Sequence, residues 1–118
     1  MPENQRYPTC GDYIYDAEDD TLTIFVSRMD DWKSELAVAI HELFESVCCL
    51  GEGVEFKEID LFDMKFEESR KPDDFSEPGD ELNAPYHSQH LGATLVEKEV
   101  CHQTGITWFE HEKNVNEA

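Results

Sequence analysis

Basic side chains are scarce in this sequence. Nine lysine and arginine residues stand against 28 aspartate and glutamate residues, which gives a formal net charge of −19 over 118 residues. Binding to phosphate backbones or to anionic membranes depends on basic side chains. We therefore expect no direct nucleic-acid or membrane binding. A bound cation or a basic protein partner would instead relieve the self-repulsion of the carboxylates.

Long apolar segments and paired cysteine motifs are also missing. The longest uninterrupted apolar run is residues 36–40, far shorter than the roughly 20 residues of a membrane-spanning helix. The N-terminus has no charged-then-apolar signal pattern, so we expect a soluble, cytoplasmic protein. The four cysteines show no CxxC spacing, which predicts reduced, mostly buried thiols rather than a disulfide framework or a cysteine-ligated zinc site.

The chain has room for one domain. Hydrophobic residues make up 39% of it, enough for a single modest core. We therefore predict one domain over residues 1–118, with an ordered core of about residues 12–110 and short flexible termini.

A hairpin and a loop are indicated by local composition. Residues 13–15 and 21–26 are rich in β-branched and aromatic side chains, and the acidic residues 16–20 separate them, which is typical of a β-hairpin. Periodicity does not decide whether residues 56–66 form a strand or a helical turn. Residues 71–85 contain three prolines and a glycine and are predicted to be a loop.

Two helices are predicted from their end signals. The first begins after Asp31, which offers an N-cap, and runs to about Leu50, where glycines follow. The second has Pro85 near its first turn and Gly105 as its terminator. Residues 106–109 are predicted to be a short strand or a packed extension, and residues 110–118 to be frayed. The predicted class is α+β: a small N-terminal hairpin with two main packed helices.

The first helix contains His41, Glu42 and Glu45 in the pattern HExxE. Residues four apart lie on one helix face, so His41 and Glu45 can reach one metal ion, while Glu42 projects about 100° away, beside a metal-bound water. An apolar stripe occupies the arc from about 180° to 340° around the helix axis, measured from His41. We expect this stripe to face the core, with the two ligands at its rim and Glu42 turned towards solvent or a cleft. The stripe comprises Trp32, Leu36, Ala37, Ile40, Leu43, Phe44, Val47 and Cys48.

The second helix carries His87 and His90 in the pattern HxxH, and Glu97 further along. His90 and Glu97 fall inside its apolar face, where an imidazole and a carboxylate are costly unless paired or metal-bound. Packing of the two helices would bring His41 and Glu45 against His87 or His90, giving three ligands and an open position, as in catalytic zinc sites. Glu97 would be a fourth ligand or an acceptor for an imidazole N–H. The alternative is a solvated acidic helix face and two ordinary histidines.

The HExxE helix resembles the active-site helix of zincin-like metalloproteins. The order of a hairpin, this helix, an Asp-x-Phe-Asp segment, a Glu-Pro-Gly-Asp turn and an Ala-Pro-Tyr-His-x-x-His helix resembles small zincin-like proteins encoded by bacteriophages. The resemblance spans about residues 12–110. The matching segments are residues 12–26, 41–45, 59–63, 77–80 and 84–90.

This resemblance implies a single, minimal zincin-like domain, a phage origin and hence a location in the host cytoplasm. By position, His41 resembles the first zinc ligand and Glu42 the general base, while Glu45 takes the place of the second histidine. A carboxylate can bind zinc, although its negative charge makes the metal a weaker Lewis acid. The predicted function is a zinc-dependent, metallopeptidase-like hydrolase acting on a peptide or protein. The alternative is a non-catalytic acidic protein that inhibits a basic or nucleic-acid-binding host protein, with a structural metal or none.

Overall fold

The computed structural model describes residues 10–74 and 76–118. Within them the chain forms a two-stranded antiparallel hairpin followed by four α-helices and one short 3₁₀ helix. The predicted α+β class is therefore confirmed. None of the helices in these described ranges is both long and apolar enough to cross a membrane.

The hairpin comprises β1 (Gly11–Asp16) and β2 (Thr21–Val26), paired in register from Gly11 opposite Val26 to Asp16 opposite Thr21. The acidic turn between them is locally stabilised, because Asp16 Oδ1 accepts a hydrogen bond from the backbone N–H of Glu18 at 3.0 Å. Asp20 takes a left-handed backbone conformation, with φ of 51°, which aspartate tolerates better than most residues. The predicted hairpin is confirmed.

The two main helices are α1 (Trp32–Glu52) and α3 (His87–Thr104). Asp31 caps α1 by accepting a hydrogen bond from the backbone N–H of Lys33 at 2.9 Å. Both helices end at glycines in the left-handed conformation, Gly53 and Gly105, where only glycine adopts that backbone without strain. The helices lie antiparallel, since contacts with α3 move towards its N-terminus as α1 proceeds towards its C-terminus.

Two further helices complete the fold. Residues 56–66, for which the sequence left a strand and a helical turn open, belong to the helix α2 (Phe56–Glu68). This helix packs on the 3₁₀ helix (Pro78–Asp80). The chain ends in α4 (Trp108–Glu117), which Thr107 caps by accepting from the backbone N–H of Glu110 at 3.1 Å. The prediction that residues 110–118 are frayed is wrong, because His111 on α4 is fully buried against α1 and α3. The ordered part of the chain therefore extends past residue 110.

The predicted orientation of α1 is also wrong. Its buried side chains are mostly small or polar, whereas Leu36, Leu43, Val47 and Leu50 stay 39–50% exposed. The space between α1 and α3 holds a hydrogen-bonded network of histidines and glutamates, so the leucine-rich side of α1 is turned outward. The buried residues of α1 are Ser34, Ala37, Val38, His41, Glu45, Ser46 and Cys49.

Apolar packing lies on both sides of this network, in two small clusters. The four cysteines are free thiols, with Cys49 and Cys101 buried. Each of these two cysteines belongs to one of the clusters, which is the packing role expected of a reduced thiol. The clusters are Cys49, Ile59, Ala84 and Tyr86 beside α2, and Ala37, Cys101 and Ile106 near the end of α3.

Candidate metal centre

Helices α1 and α3 place His41, Glu45 and His90 together in the interior. One carboxylate oxygen of Glu45, Oε2, lies 3.1 Å from Nε2 of His41 and 2.9 Å from Nδ1 of His90. Each of the three residues is at most 5% exposed. His41 and Glu45 reach the same point because they are four residues apart on one helix.

The 3₁₀ helix contributes two further carboxylates. Nε2 of His90 lies 3.3 Å from Glu77 Oε2 and 3.0 Å from Asp80 Oδ1. Gly79 lets this turn approach α3, because a Cβ at that position would lie 2.4 Å from Cγ of His90. Sequence reasoning did not identify Glu77 and Asp80 as candidate ligands, although the Glu-Pro-Gly-Asp turn directly before the HxxH helix was a usable signal.

The donor set fits a transition-metal ion. Ligand atoms of His41, Glu77 and His90 all lie within 4.8 Å of one another, and Glu45 joins the two imidazoles. In a tetrahedral zinc site with bonds of about 2.0–2.1 Å, neighbouring ligand atoms are about 3.3 Å apart. The separations of 3.1 Å between His41 and Glu45 and of 2.9 Å between Glu45 and His90 are close to this value. Glu77 approaches the other nitrogen of the His90 ring, Nε2, at 3.3 Å. Imidazole and carboxylate donors suit zinc and also neighbouring divalent metals.

His87 lies elsewhere. Its Nδ1 is 2.8 Å from the carbonyl oxygen of Gly79, so this half-buried ring ties α3 to the 3₁₀ helix. Of the two histidines in the HxxH pattern, the structure brings only His90 next to His41.

Glu97 lies on the far side of the His41 ring. Its Oε1 is 2.7 Å from Nδ1 of His41, and its Oε2 is hydrogen-bonded to Nε2 of His111. His111 in turn contacts Ser34 Oγ at 2.9 Å, and Asn114 donates to the same oxygen at 3.0 Å. This arrangement fits the second of the two predicted roles for Glu97, because an acceptor on Nδ1 leaves Nε2 of His41 facing Glu45.

The sequence reasoning missed His111 entirely. A signal was present, since Trp108, His111 and Val115 recur at helical spacing after the capping residue Thr107. The acidic residues around them made the segment look like a solvated tail.

Glu42 lies beside a cavity of about 280 Å³ that His41, Glu45 and His90 also line. The strand β1 forms one wall, where a Cβ on Gly11 would lie 2.7 Å from Oε1 of Glu42. The glycine therefore leaves space for this carboxylate. The sequence left open whether Glu42 faces solvent or a cleft, and the structure places it half-buried in the lining of this cavity.

The strand β1 also reaches the candidate ligands directly. The Tyr13 hydroxyl donates to Oε1 of Glu45 at 2.9 Å. This bond occupies the Glu45 oxygen that does not face the two imidazoles. It therefore fixes the rotation of the carboxylate and keeps Oε2 between His41 and His90.

Electrostatics favours charged pairs within the network. Burial lowers the pKa of His41, but its hydrogen bonds to Glu45 and Glu97 outweigh burial and raise the pKa to about 12. Burial likewise raises the pKa of Glu45, but His41 and His90 bring it down to about 2. Burial and the nearby Glu45 carboxylate raise the pKa of Glu42 above its ordinary value. A bound metal cation would replace the protons that otherwise join these imidazoles and carboxylates through hydrogen bonds.

Comparison with known proteins adds no relative. No protein-family model matches the chain, and neither the curated proteins nor the solved structures contain a significant match. The zincin-like identity and the phage origin therefore stay predictions.

Proposed function

We propose that this protein binds zinc and acts as a metal-dependent hydrolase of the metallopeptidase type. One observation carries the proposal: two buried imidazoles, from His41 on α1 and His90 on α3, converge on the carboxylate of Glu45 beside a cavity. Burial of these groups is costly unless each is paired or bound to a cation. Their spacing suits a metal site with three protein ligands.

The roles follow from position. His41, Glu45 and His90 would hold the ion, and Glu77 would be the fourth ligand. Glu77 is the ligand we expect to give way to water or substrate, because its side chain is 49% exposed whereas the other three are at most 6% exposed. A bound zinc ion supplies a coordinated water of lowered pKa.

Three further residues would assist this chemistry: Glu42, Tyr13 and Glu97. Glu42 lines the same cavity and would accept the proton from that water as a general base. Burial raises the pKa of this carboxyl group above its ordinary value. Tyr13 would hold Glu45 in place through its hydroxyl. Glu97 would keep His41 oriented through Nδ1.

Metal content is the first test. The chain is purified without a His tag and without added metal, then analysed by inductively coupled plasma mass spectrometry. We expect about one zinc per chain. The variants His41→Ala and His90→Ala should lose it, and His87→Ala is the matched control that should retain it. Circular dichroism checks that each variant folds.

Two results would overturn the zinc site. One is wild-type protein that contains no metal and takes none up when zinc is added. The other is equal loss of zinc in His87→Ala and His90→Ala. That result would mean that both histidines stabilise the fold and that His90 is not itself a zinc ligand.

Hydrolysis is tested separately, by incubating the zinc-loaded protein with a mixed peptide library and identifying products by mass spectrometry. We expect cleavage by the wild type and none by Glu42→Gln, with zinc content unchanged. Absence of cleavage by the wild type would refute the hydrolase and leave zinc binding standing. Zinc-loaded Glu42→Gln that cleaves as well as the wild type would refute the proposed role of Glu42.

A further inference from the structure

His90 has a carboxylate at each of its two ring nitrogens. Nδ1 lies 2.9 Å from Oε2 of Glu45 on α1. Nε2 faces a different direction and lies 3.0 Å from Oδ1 of Asp80 and 3.3 Å from Oε2 of Glu77. The lone pairs of the two imidazole nitrogens point away from each other, so one ion cannot bind both. The contacts of Nε2 therefore define a position separate from the one between His41 and Glu45.

His90 stands between two cavities that differ in their lining. The first, of about 280 Å³, is lined by His41 and Glu45, and the second, of about 470 Å³, is lined by Asp80. Of these described residues, Asp80 lines the second cavity but not the first, whereas His41 and Glu45 line the first but not the second. Glu77 lines both. The second cavity has room for the water molecules that would complete the coordination of an ion on Nε2.

The 3₁₀ helix fixes the Asp80 carboxylate towards Nε2. Its Oδ2 accepts a hydrogen bond from the backbone N–H of Glu77 at 3.0 Å, which leaves Oδ1 directed at the imidazole. The turn is also tied to α3, because Nδ1 of His87 donates to the carbonyl oxygen of Gly79 at 2.8 Å. The absence of a side chain at Gly79 permits the close approach of the turn to the His90 ring. Local structure therefore holds this carboxylate beside the imidazole.

We propose that Nε2 of His90, Asp80 and Glu77 bind a second divalent metal ion, so that the His90 ring bridges two ions. An imidazole and two carboxylates are donors that zinc and neighbouring divalent metals accept. The separations of 3.0 and 3.3 Å are close to the distance of about 3.3 Å between neighbouring ligand atoms of a tetrahedral zinc site. Each ring nitrogen gives up its proton to solvent when it binds metal, so the bridging ring is an imidazolate.

The charges around His90 suit two ions. The carboxylates of Glu45, Glu77 and Asp80 carry one negative charge each, and the imidazolate adds a fourth. Two divalent ions carry four positive charges, so the group is neutral when both are bound. With one ion and a neutral ring, the same residues keep an excess of one negative charge. In a chain of net charge −19, this excess favours a second cation.

The second ion should bind more weakly than the first. The side chains of Glu77 and Asp80 are 49% and 54% exposed, whereas that of Glu45 is 6% exposed, and exposed carboxylates are more strongly screened by water. Glu77 is the ligand that the two positions share, since its carboxylate also lies within 4.8 Å of a ligand atom of His41. The bridge rests on the proposed function, because it requires the first ion on Nδ1 of His90.

Zinc stoichiometry tests the second site. The full-length chain is stripped with a chelator, dialysed against rising free zinc in about 0.3 M NaCl to suppress diffuse binding, and analysed by inductively coupled plasma mass spectrometry. We expect two zinc ions per chain. Asp80→Asn should keep the first and raise the dissociation constant of the second at least about tenfold. Its amide oxygen can still accept from the Glu77 N–H, so the turn should fold. His41→Ala should lose the first ion and keep the second.

Glu81→Gln is the matched control, because it removes the same charge from the next residue, which is exposed. It should bind two zinc ions as the wild type does. Long-range ¹H–¹⁵N NMR of the histidine rings reports the bridge directly. At one equivalent of zinc, Nε2 of His90 should still carry a proton, and at two equivalents this proton should be lost.

Three results would overturn the proposal. A wild type that saturates at one zinc, retained by Asp80→Asn, would refute the second site and leave the first standing. Equal weakening of the second zinc in Asp80→Asn and Glu81→Gln would show that net charge alone explains its binding. A single zinc that is kept by His41→Ala and lost by Asp80→Asn would refute the bridge and the proposed function together.

Discussion

Replacing Glu97 by glutamine tests whether its contact with Nδ1 of His41 contributes to the affinity for the metal. The carboxylate accepts from both His41 and His111. A neutral amide has one oxygen and one NH₂ group, so it can accept from only one of the two imidazoles. Loss of such an orienting partner lowers metal affinity about 10- to 100-fold, which equals about 1.4–2.7 kcal/mol. We therefore expect Glu97→Gln to bind zinc 10- to 100-fold more weakly.

The assay is competition for zinc against a chromophoric chelator at fixed pH. Glu99→Gln is the matched control, because it removes the same charge from the same helix. Glu99 is exposed, and its side chain lies 3.5 Å from Gln103 Nε2. An affinity within twofold of the wild type for Glu97→Gln would refute the reasoning. An equal fall in both variants would also refute it, since net charge alone would then explain the effect.

Two further predictions concern the turn and the pH. Gly79→Ala should weaken zinc binding at least tenfold, because its Cβ would lie 2.4 Å from the His90 ring. Gly51→Ala, with nothing within 4 Å, should leave zinc affinity unchanged in the same titration, and equal effects would contradict this explanation. Zinc-free protein should be most stable near pH 5–6 in urea unfolding with a chelator present. The raised pKa of His41 contributes stability in full below about pH 6.5 that is lost as pH rises, and the lowered pKa of Glu45 contributes stability above about pH 4.5 that is lost as pH falls towards 2. A chelated protein that is more stable at pH 8 than at pH 5.5 would contradict this.

Local signals in the sequence predict the hairpin and the two main helices. Asp31, Gly53 and Gly105 act through their nearest neighbours, so their effect can be inferred without knowledge of the fold. The pairing of His41 with Glu45 is predictable for the same reason, because both lie on one helix.

The orientation of α1 and the role of His111 depend on tertiary structure. Helical periodicity shows that Leu36 and Leu43 share a face, but not whether that face meets α3 or solvent. His111 is buried because Glu97 and Ser34, on two other helices, offer it partners. A pairing between residues 77 positions apart leaves no local pattern.

The hydrogen bond between His111 and Ser34 has a consequence for folding. It connects positions separated by 77 residues, and the contact between His41 and Glu97 spans 56. Closing such long loops costs more chain entropy than forming a hairpin or a helix, so non-local contacts form late. The candidate ligands therefore come together after the separate elements have formed. Zinc uptake by the refolding chain should then follow the slowest folding phase rather than the rate of zinc diffusion.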